Sequence, residues 1–416
     1  MRHSWLTILL MSVIIAISVT AQAGQETLDS LIQTGLNNNP ELRAADYRVK
    51  ASAYTAKASG ILPDPKLTVG ILNLPRSSLA LDETPMSGIM LGLSQTIPWP
   101  GKLGAKSRHA HLARKRDEAD LDALRNRLIR EITETYHEYS YRLLSERTIR
   151  ENLALTDVIV EVTEERYARG EVSAHDVFKV QTMRSRLAIK LLKAEQMQAS
   201  ARLQLQRIVK DSALVYNLPP YLPERDYRFS RKPGILKNPH LQNAELAVVQ
   251  ADTRRSLSRA RYWPDITLGV DYRIRKEIPM DPVAGEDWLS FRVGVNVPLW
   301  FLAKQKNQTR ASELALLTAR ENRNAVRDIL TQKLEDTGLA LDVINESLQQ
   351  YDSTILPQVR AGFETARIAY EVDRIDFNAL LSAQMDLLDV QLERLELVFR
   401  WNATLARWHE LAGTIL

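Results

Sequence analysis

The chain has 416 residues, 55 Lys and Arg against 51 Asp and Glu, a net charge of +4, and no cysteine. So even a balance excludes a dedicated nucleic-acid binder, which gathers positive charge against phosphate. The missing thiols exclude disulfides, thiolate metal sites and a lipid-modified amino-terminal Cys.

Residues 1–23 carry Arg2, an apolar run from Trp5 to Val19 and a small-x-small site at Ala21-Gln22-Ala23. This is the pattern of a secretory signal peptide, cleaved on export. No later apolar run reaches the roughly 20 residues of a spanning helix, so any membrane part of the mature chain must consist of strands.

Residues 24–210 form a first repeat. Glu26 to Gly60 reads as helix, interrupted at Asn37-Asn38-Asn39-Pro40, because a residue before proline is pushed out of the helical region. A hairpin spans 66–97: Leu67, Val69 and Ile71 alternate with their neighbours, and Ile89, Leu91 and Leu93 alternate with Met90, Gly92 and Ser94. After Pro98-Trp99-Pro100-Gly101, helix is predicted from Lys102 to Arg169, with Leu121, Leu124, Leu128, Ile132, Tyr136, Tyr139 and Leu143 on one stripe. At 1.5 Å per residue such a helix runs about 100 Å, far more than a compact domain uses. A break at Tyr167 to Val172 leads into another helix, Ser173 to Lys210, and residues 211–234, with Pro219, Pro220, Pro223 and Pro233, read as a linker.

Residues 235–416 repeat the pattern about 200 positions on. Asn238-Pro239 answers Asn39-Pro40, Pro264-Asp265 answers Pro63-Asp64, and Gly294 and Pro298 answer Gly92 and Pro98. The second hairpin, 265–298, alternates most strictly. Ile266, Leu268, Val270, Tyr272 and Ile274 share one face with Leu289, Phe291, Val293 and Val295. Asp271, Arg273, Arg275 and Arg292 lie on the other. Each run is about ten residues, the length of a tilted membrane-spanning strand. An unbroken helix is predicted from Lys304 to Tyr370, and a last one from Phe377 to Leu411.

Four strands cannot close a barrel, and an open edge cannot face lipid. If the strands enter a membrane, several chains must share one barrel, with the polar face, and hence Asp271, Arg273, Arg275 and Arg292, lining water. The narrow helix stripes make the same demand for sideways partners. No Gly-x-Ser-x-Gly, phosphate loop or His-Glu-x-x-His is present, so no enzyme is expected. His109 and His111 point to different helix faces. His175, Met86 and Met90, and the group Glu134, His137 and Glu138, read as ordinary turn, strand and solvated helix residues, so no metal site or cofactor is expected.

Duplication, Asn-Pro-x-Leu openings, proline exits from the hairpins, and tyrosine-led turns followed by Gln181 and Gln384 together resemble the TolC-like outer-membrane efflux protein family. The resemblance implies a mostly α chain with a membrane β part. Three copies share a 12-stranded β-barrel, and their helices form a coiled-coil tunnel, or α-barrel, in the periplasm of a Gram-negative bacterium. The homotrimer sits in outer-membrane lipid and takes substrate from an inner-membrane RND-type pump through a periplasmic adaptor. The segments 62–67 and 94–102 are similar to the heavy-metal, Czc/Cus-like branch, which implies export of metal cations. Drug efflux or type I protein secretion is the alternative, and a periplasmic adaptor or structural envelope protein a further one.

By the same resemblance the periplasmic gate lies at the two turns. Its residues are Tyr167, Gly170, His175 and Asp176 on one side, and Tyr370, Asp373, Arg374, Asp376, Ala379 and Ser382 on the other. Tyr370 is the gate tyrosine and Asp176 its hydrogen-bond partner. Where relatives carry a ring of aspartates, this sequence has Ala379 and Ser382.

Overall fold

A computed structural model describes residues 27–216, 218–224, 234–279, 285–372 and 374–414. The signal segment, most of the second half of the linker and Asp373 lie outside these residues. Helix α1 covers 27–38 and α2 Pro40–Ser59, with Asn39 between them accepting from the Glu41 and Leu42 amides at 2.8 and 3.1 Å. Strands β1 (Lys66–Leu72) and β2 (Gly88–Ile97) follow, then α3 (Lys102–Ala168) and α4 (Ala174–Val209). The second series runs α5 (Pro239–Ala260), β3 (Ile266–Ile274), β4 (Trp288–Val295), α6 (Lys306–Gln350), α7 (Leu356–Glu371) and α8 (Phe377–Ala412). No helix among the described residues is long and apolar enough to cross a membrane.

The expected unbroken helix from Lys304 to Tyr370 is interrupted. Residues Tyr351–Ile355 form a π turn, closed by the Leu356 amide on the Tyr351 carbonyl. Pro357 explains it: proline has no N–H for the carbonyl of Ser353, and its ring crowds that carbonyl, so the backbone widens just upstream. At the matching place in the first repeat stands Ala154, and α3 runs 67 residues without a break.

The chain divides into two compact units, and each draws on both repeats. One comprises Met1–Ala44, Asp122–Pro239 and Arg327–Leu416; the other comprises Ala45–Leu121 and His240–Val326. In the second unit the four strands form one antiparallel sheet in the order β1-β2-β3-β4. The central pair joins the repeats, with Leu93 opposite Val270 and Leu91 opposite Tyr272. At its base Trp99 stacks on Trp263, ring centres 4.9 Å apart, while Asp265 accepts from the Trp99 amide and pairs with Lys102, both at 2.8 Å.

In the first unit the expected α3 stripe enters the core, joined by residues of four other helices. Leu128, Ile132, Tyr136 and Tyr139 of α3 pack with Leu205 and Val209 of α4 and Leu31 of α1. Trp401 and Trp408 of α8 pack with Leu341 and Leu348 of α6. The linker is tied to this core: Tyr136 donates to the Pro219 carbonyl at 2.9 Å, and the Tyr221 amide donates to Ser140 at 2.9 Å. His137, read from sequence as solvated, is 4% exposed, its Nδ1–H directed at the Tyr221 carbonyl 3.1 Å away. Its neighbours in the sequence pattern are committed elsewhere: Glu134 pairs with Arg130 and Arg407, and Glu138 with Arg142.

Burial pushes the His137 imidazole down to about 4 from its ordinary 6.5, against the smaller opposing effect of the Tyr221 carbonyl. Between those values the unfolded chain binds a proton that the folded chain refuses. The stability owed to neutral His137 is therefore intact above pH 6.5 and is lost as pH falls through 4, by about 3 kcal/mol in total. In His137→Gln, which donates but does not titrate, the urea midpoint should fall less steeply over that interval than in the unaltered protein.

Candidate functional site

Two regions hold the residues that the sequence singles out, one in each compact unit. The first is the pair of helix–turn–helix ends. Helix α3 closes on a Schellman turn: Gly170 takes φ +75°, its amide donates to Tyr167, and the Glu171 amide reaches back to Arg166 at 2.9 Å. Glycine adopts this left-handed conformation without a steric cost. After α7 the same long bond recurs between the Arg374 amide and Ala369 at 2.8 Å, 203 residues on.

Helix α4 then starts with a reciprocal cap. Ser173 accepts from the Asp176 amide, and the Asp176 carboxylate takes the Ser173 amide at 3.2 Å and hydroxyl at 2.7 Å. At the equivalent place before α8, Asp376 accepts from the Ala379 amide at 2.9 Å. So Asp176 and Asp376 each satisfy an amide of a helix's first turn, and a carboxylate there also meets the positive end of the helix dipole. The expected hydrogen bond between Asp176 and Tyr370 is not made within the chain. The Asp176 carboxylate is taken up by its cap, and the buried Tyr370 hydroxyl has no partner among the described residues.

Tyr167 and Tyr370, 203 residues apart, have opposite environments: Tyr167 is 50% exposed and Tyr370 8%. Tyr370 lies against Phe377, ring centres 5.8 Å apart, within a cluster that includes Phe363, Leu380 and Leu381. The Arg166 guanidinium covers its ring at 4.8 Å. The matching positions in the first repeat hold Ala174 for Phe377 and Val160 for Phe363, so no aromatic bed exists for Tyr167. The glutamines differ too. Gln384 is buried and donates to Thr156 at 3.0 Å, whereas Gln181 is exposed and donates to Glu164. Arg166 and Phe377 escaped the sequence reading; the one available signal was the unequal aromatic content of the two turns.

His175 and Ser382 line a groove of about 740 Å³ between α4 and α8, with Phe178 and Leu381 on its apolar side and Lys179, Arg186 and Lys190 adding positive charge. Lys190 pairs across it with Asp389 at 3.0 Å. No group of three metal-ligating His, Cys, Asp or Glu side chains occurs among the described residues.

The second region is the polar face of the sheet. The register stacks Thr68, Gly92, Asp271 and Ser290 in one row, and Lys66, Ser94, Gly269 and Arg292 in the next. Asp271 and Arg292 pair at 2.6 Å across these rows. Gly92 makes room for them, since a Cβ there would collide with the Asp271 carboxylate. Arg273 and Arg275 lie over the Trp288 ring at 5.4 and 4.6 Å, close enough for attraction between guanidinium and π-face. All four sequence-predicted residues thus share one face.

The opposite face is apolar across all four strands, through rows such as Leu67–Leu93–Val270–Phe291 and Val69–Leu91–Tyr272–Leu289. It is also the more open one. Phe291 and Val293 are 77% and 69% exposed, while the Asp271 side chain is only 13% exposed. A water-soluble sheet has the reverse pattern.

Comparison with known proteins gives one family and one fold. Residues 31–209 and 235–414 match the outer membrane efflux protein family. The cobalt-zinc-cadmium resistance protein CzcC of Cupriavidus metallidurans is 22% identical over 94% of this chain and 90% of its own length. Among solved structures, CusC aligns with a TM-score of 0.77 at 15% identity, covering 93% of this chain and 92% of that one. The outer membrane protein VceC of Vibrio cholerae aligns with a TM-score of 0.78 at 17% identity, covering 94% and 98%.

The cap at Asp376 makes the turn testable. Asp376→Ala leaves the Ala379 amide without its acceptor, which costs about 1 kcal/mol of local stability. Amide exchange at Ala379 should quicken accordingly, and Asp376→Ser should restore most of the protection.

Proposed function

This chain belongs to the outer membrane efflux protein family, and from that membership we propose that three copies assemble into one exit duct for heavy-metal cations. It is an outer-membrane efflux channel and not an enzyme. The observation that carries the trimer is the sheet: a continuous apolar face left bare, and outer strands β1 and β4 that each pair on one side only. Lipid offers no hydrogen bonds to an open edge, so β4 of one copy must pair with β1 of the next until the barrel closes. Three copies supply twelve strands, an even number within the range of outer-membrane barrels.

The internal repeat supplies the register of that seam. Matching Pro63-Asp64 with Pro264-Asp265 and Pro98 with Pro298 carries β1 201 positions to β3 and β2 200 to β4, an offset that both ladders accommodate. Carrying the observed β2–β3 pairing over in the same way sets Val295 opposite Leu67, Val293 opposite Val69 and Phe291 opposite Ile71 of the neighbouring copy. The apolar rows then continue from copy to copy without a change of face.

The helical unit receives cargo from an inner-membrane cation pump through a periplasmic adaptor. The metal reading is supported by the likeness to CzcC along nearly the whole chain.

The absence of native cysteine gives the assembly a clean test. Oxidised outer membranes from the Leu67→Cys/Val295→Cys chain should yield covalent dimers and trimers, and Leu67→Cys/Phe291→Cys should yield few. Equal cross-linking in both, or none in either, sinks the shared sheet. Deletion of the gene should lower tolerance of zinc, cobalt or cadmium, restored by a plasmid copy. Sensitivity to dyes or antibiotics alone would replace the metal reading with drug efflux.

A further inference from the structure

We infer that a belt of cations at the helix end of the sheet seats anionic phospholipid headgroups of the periplasmic leaflet. This rests on the reading that the apolar sheet face lies in lipid. All four strands meet their helices at one end of the sheet, where Ile97, Ile266 and Val295 stand opposite one another and Lys66 faces Ser94. The fourteen positions beyond that end of each strand, 52–65, 98–111, 252–265 and 296–309, hold ten Lys and Arg against three Asp and no Glu. The next fourteen of each, 38–51, 112–125, 238–251 and 310–323, hold ten against nine acids. The excess of positive charge is therefore gathered beside the sheet and is gone one step further on.

Part of this charge is neutralised within the chain. Lys102 pairs with Asp265 at 2.8 Å and Arg255 with Asp252 at 2.6 Å, while Arg259 pairs at 3.1 Å with Glu313, which Arg310 also approaches. Arg261 donates to the uncharged Gln308, and Lys57 lies over the Tyr54 ring. Lys106, Arg108, Arg254, Lys304 and Lys306 are exposed and meet no carboxylate among the described residues. Asp64 is the one acid of the belt left to set against these five.

The apolar face leads straight into the cations. Val297 and Leu299 continue the alternation of Val293 and Val295, and Leu302 and Lys306 follow Leu299 at three-and-four spacing. Leu299 and Trp300 are each 75% exposed, and Trp263 is exposed as well. The offset of 200 that matches Pro98 with Pro298 also matches Lys106 with Lys306, so both repeats set a lysine at this level. Exposed Trp beside Lys and Arg is the pattern of a membrane–water interface. A phospholipid meets both halves of it, with acyl chains on the valines and leucines and a phosphodiester at the lysines. A headgroup of net negative charge gains most, because a zwitterionic one brings its own cation to the belt.

Spin-labelled phosphatidylglycerol and phosphatidylcholine, compared on the full-length protein in phosphatidylcholine vesicles, test this. The motionally restricted fractions should favour phosphatidylglycerol about fivefold, the gain of one engaged cation, and molar salt should erase the preference. Lys106→Gln/Arg108→Gln/Lys304→Gln/Lys306→Gln should bring the ratio down to about one, and Lys106→Arg/Arg108→Lys/Lys304→Arg/Lys306→Arg should keep it. A ratio near one in the unaltered protein, a preference that survives molar salt, or one that the Gln chain retains overturns the inference and leaves the duct intact. Displacement of the labelled lipid by millimolar inorganic phosphate would make the belt a site for the free anion and overturn the lipid seat. Failure of the Leu67→Cys/Val295→Cys chain to cross-link overturns the duct reading and this one with it.

Discussion

A strand at the edge of a sheet has a row of amide and carbonyl groups with nothing opposite them. In this chain that condition holds at both ends of a four-stranded sheet whose open face is apolar. In water such a face gathers with others indiscriminately, and in lipid the edge has no solvent to satisfy it. Both difficulties have one remedy, closure with further copies. Closure in turn requires the alternation of faces to survive the seam, which is what the proposed β4–β1 pairing provides. The stacked Trp99 and Trp263, with Lys102 and Asp265 beneath, fasten the two hairpins where they leave the sheet.

Much of this was legible in the residues. Strict alternation in 265–298 places Asp271, Arg273, Arg275 and Arg292 on a single face; the ladder keeps three of them there, and Arg275 lies just beyond β3 over the same Trp288 ring as Arg273. Three-and-four spacing in α3 picks out Leu128, Ile132 and Tyr136, which are buried together. Other features depend on contacts that no local pattern encodes. His137 sits in a run of charges and reads as solvated, yet a linker more than eighty residues away covers it. Tyr370 was recognisable as special. Its bed of Phe363, Phe377 and Arg166 was not, since Arg166 arrives from the other repeat.

The same separation of scales applies to function. Membership of the outer membrane efflux protein family rests on nearly the whole chain, and with it the absence of catalysis. A passive duct must hold its cargo weakly enough to release it. Its selectivity therefore resides in charge and width rather than in a tight ligand set, and such features leave only a faint mark on sequence. The acids at the turns illustrate the point: Asp176 and Asp376 have the composition of a charged constriction, but both complete the first turns of helices.

One departure from the duplication has a mechanical meaning. The hydrogen-bond ladder of α3 continues unbroken, whereas its counterpart is widened at Tyr351–Ile355, ahead of Pro357. Bending a helix costs least where its ladder is already loosened. The second repeat therefore has one place, just ahead of α7, where bending costs less than anywhere along α3.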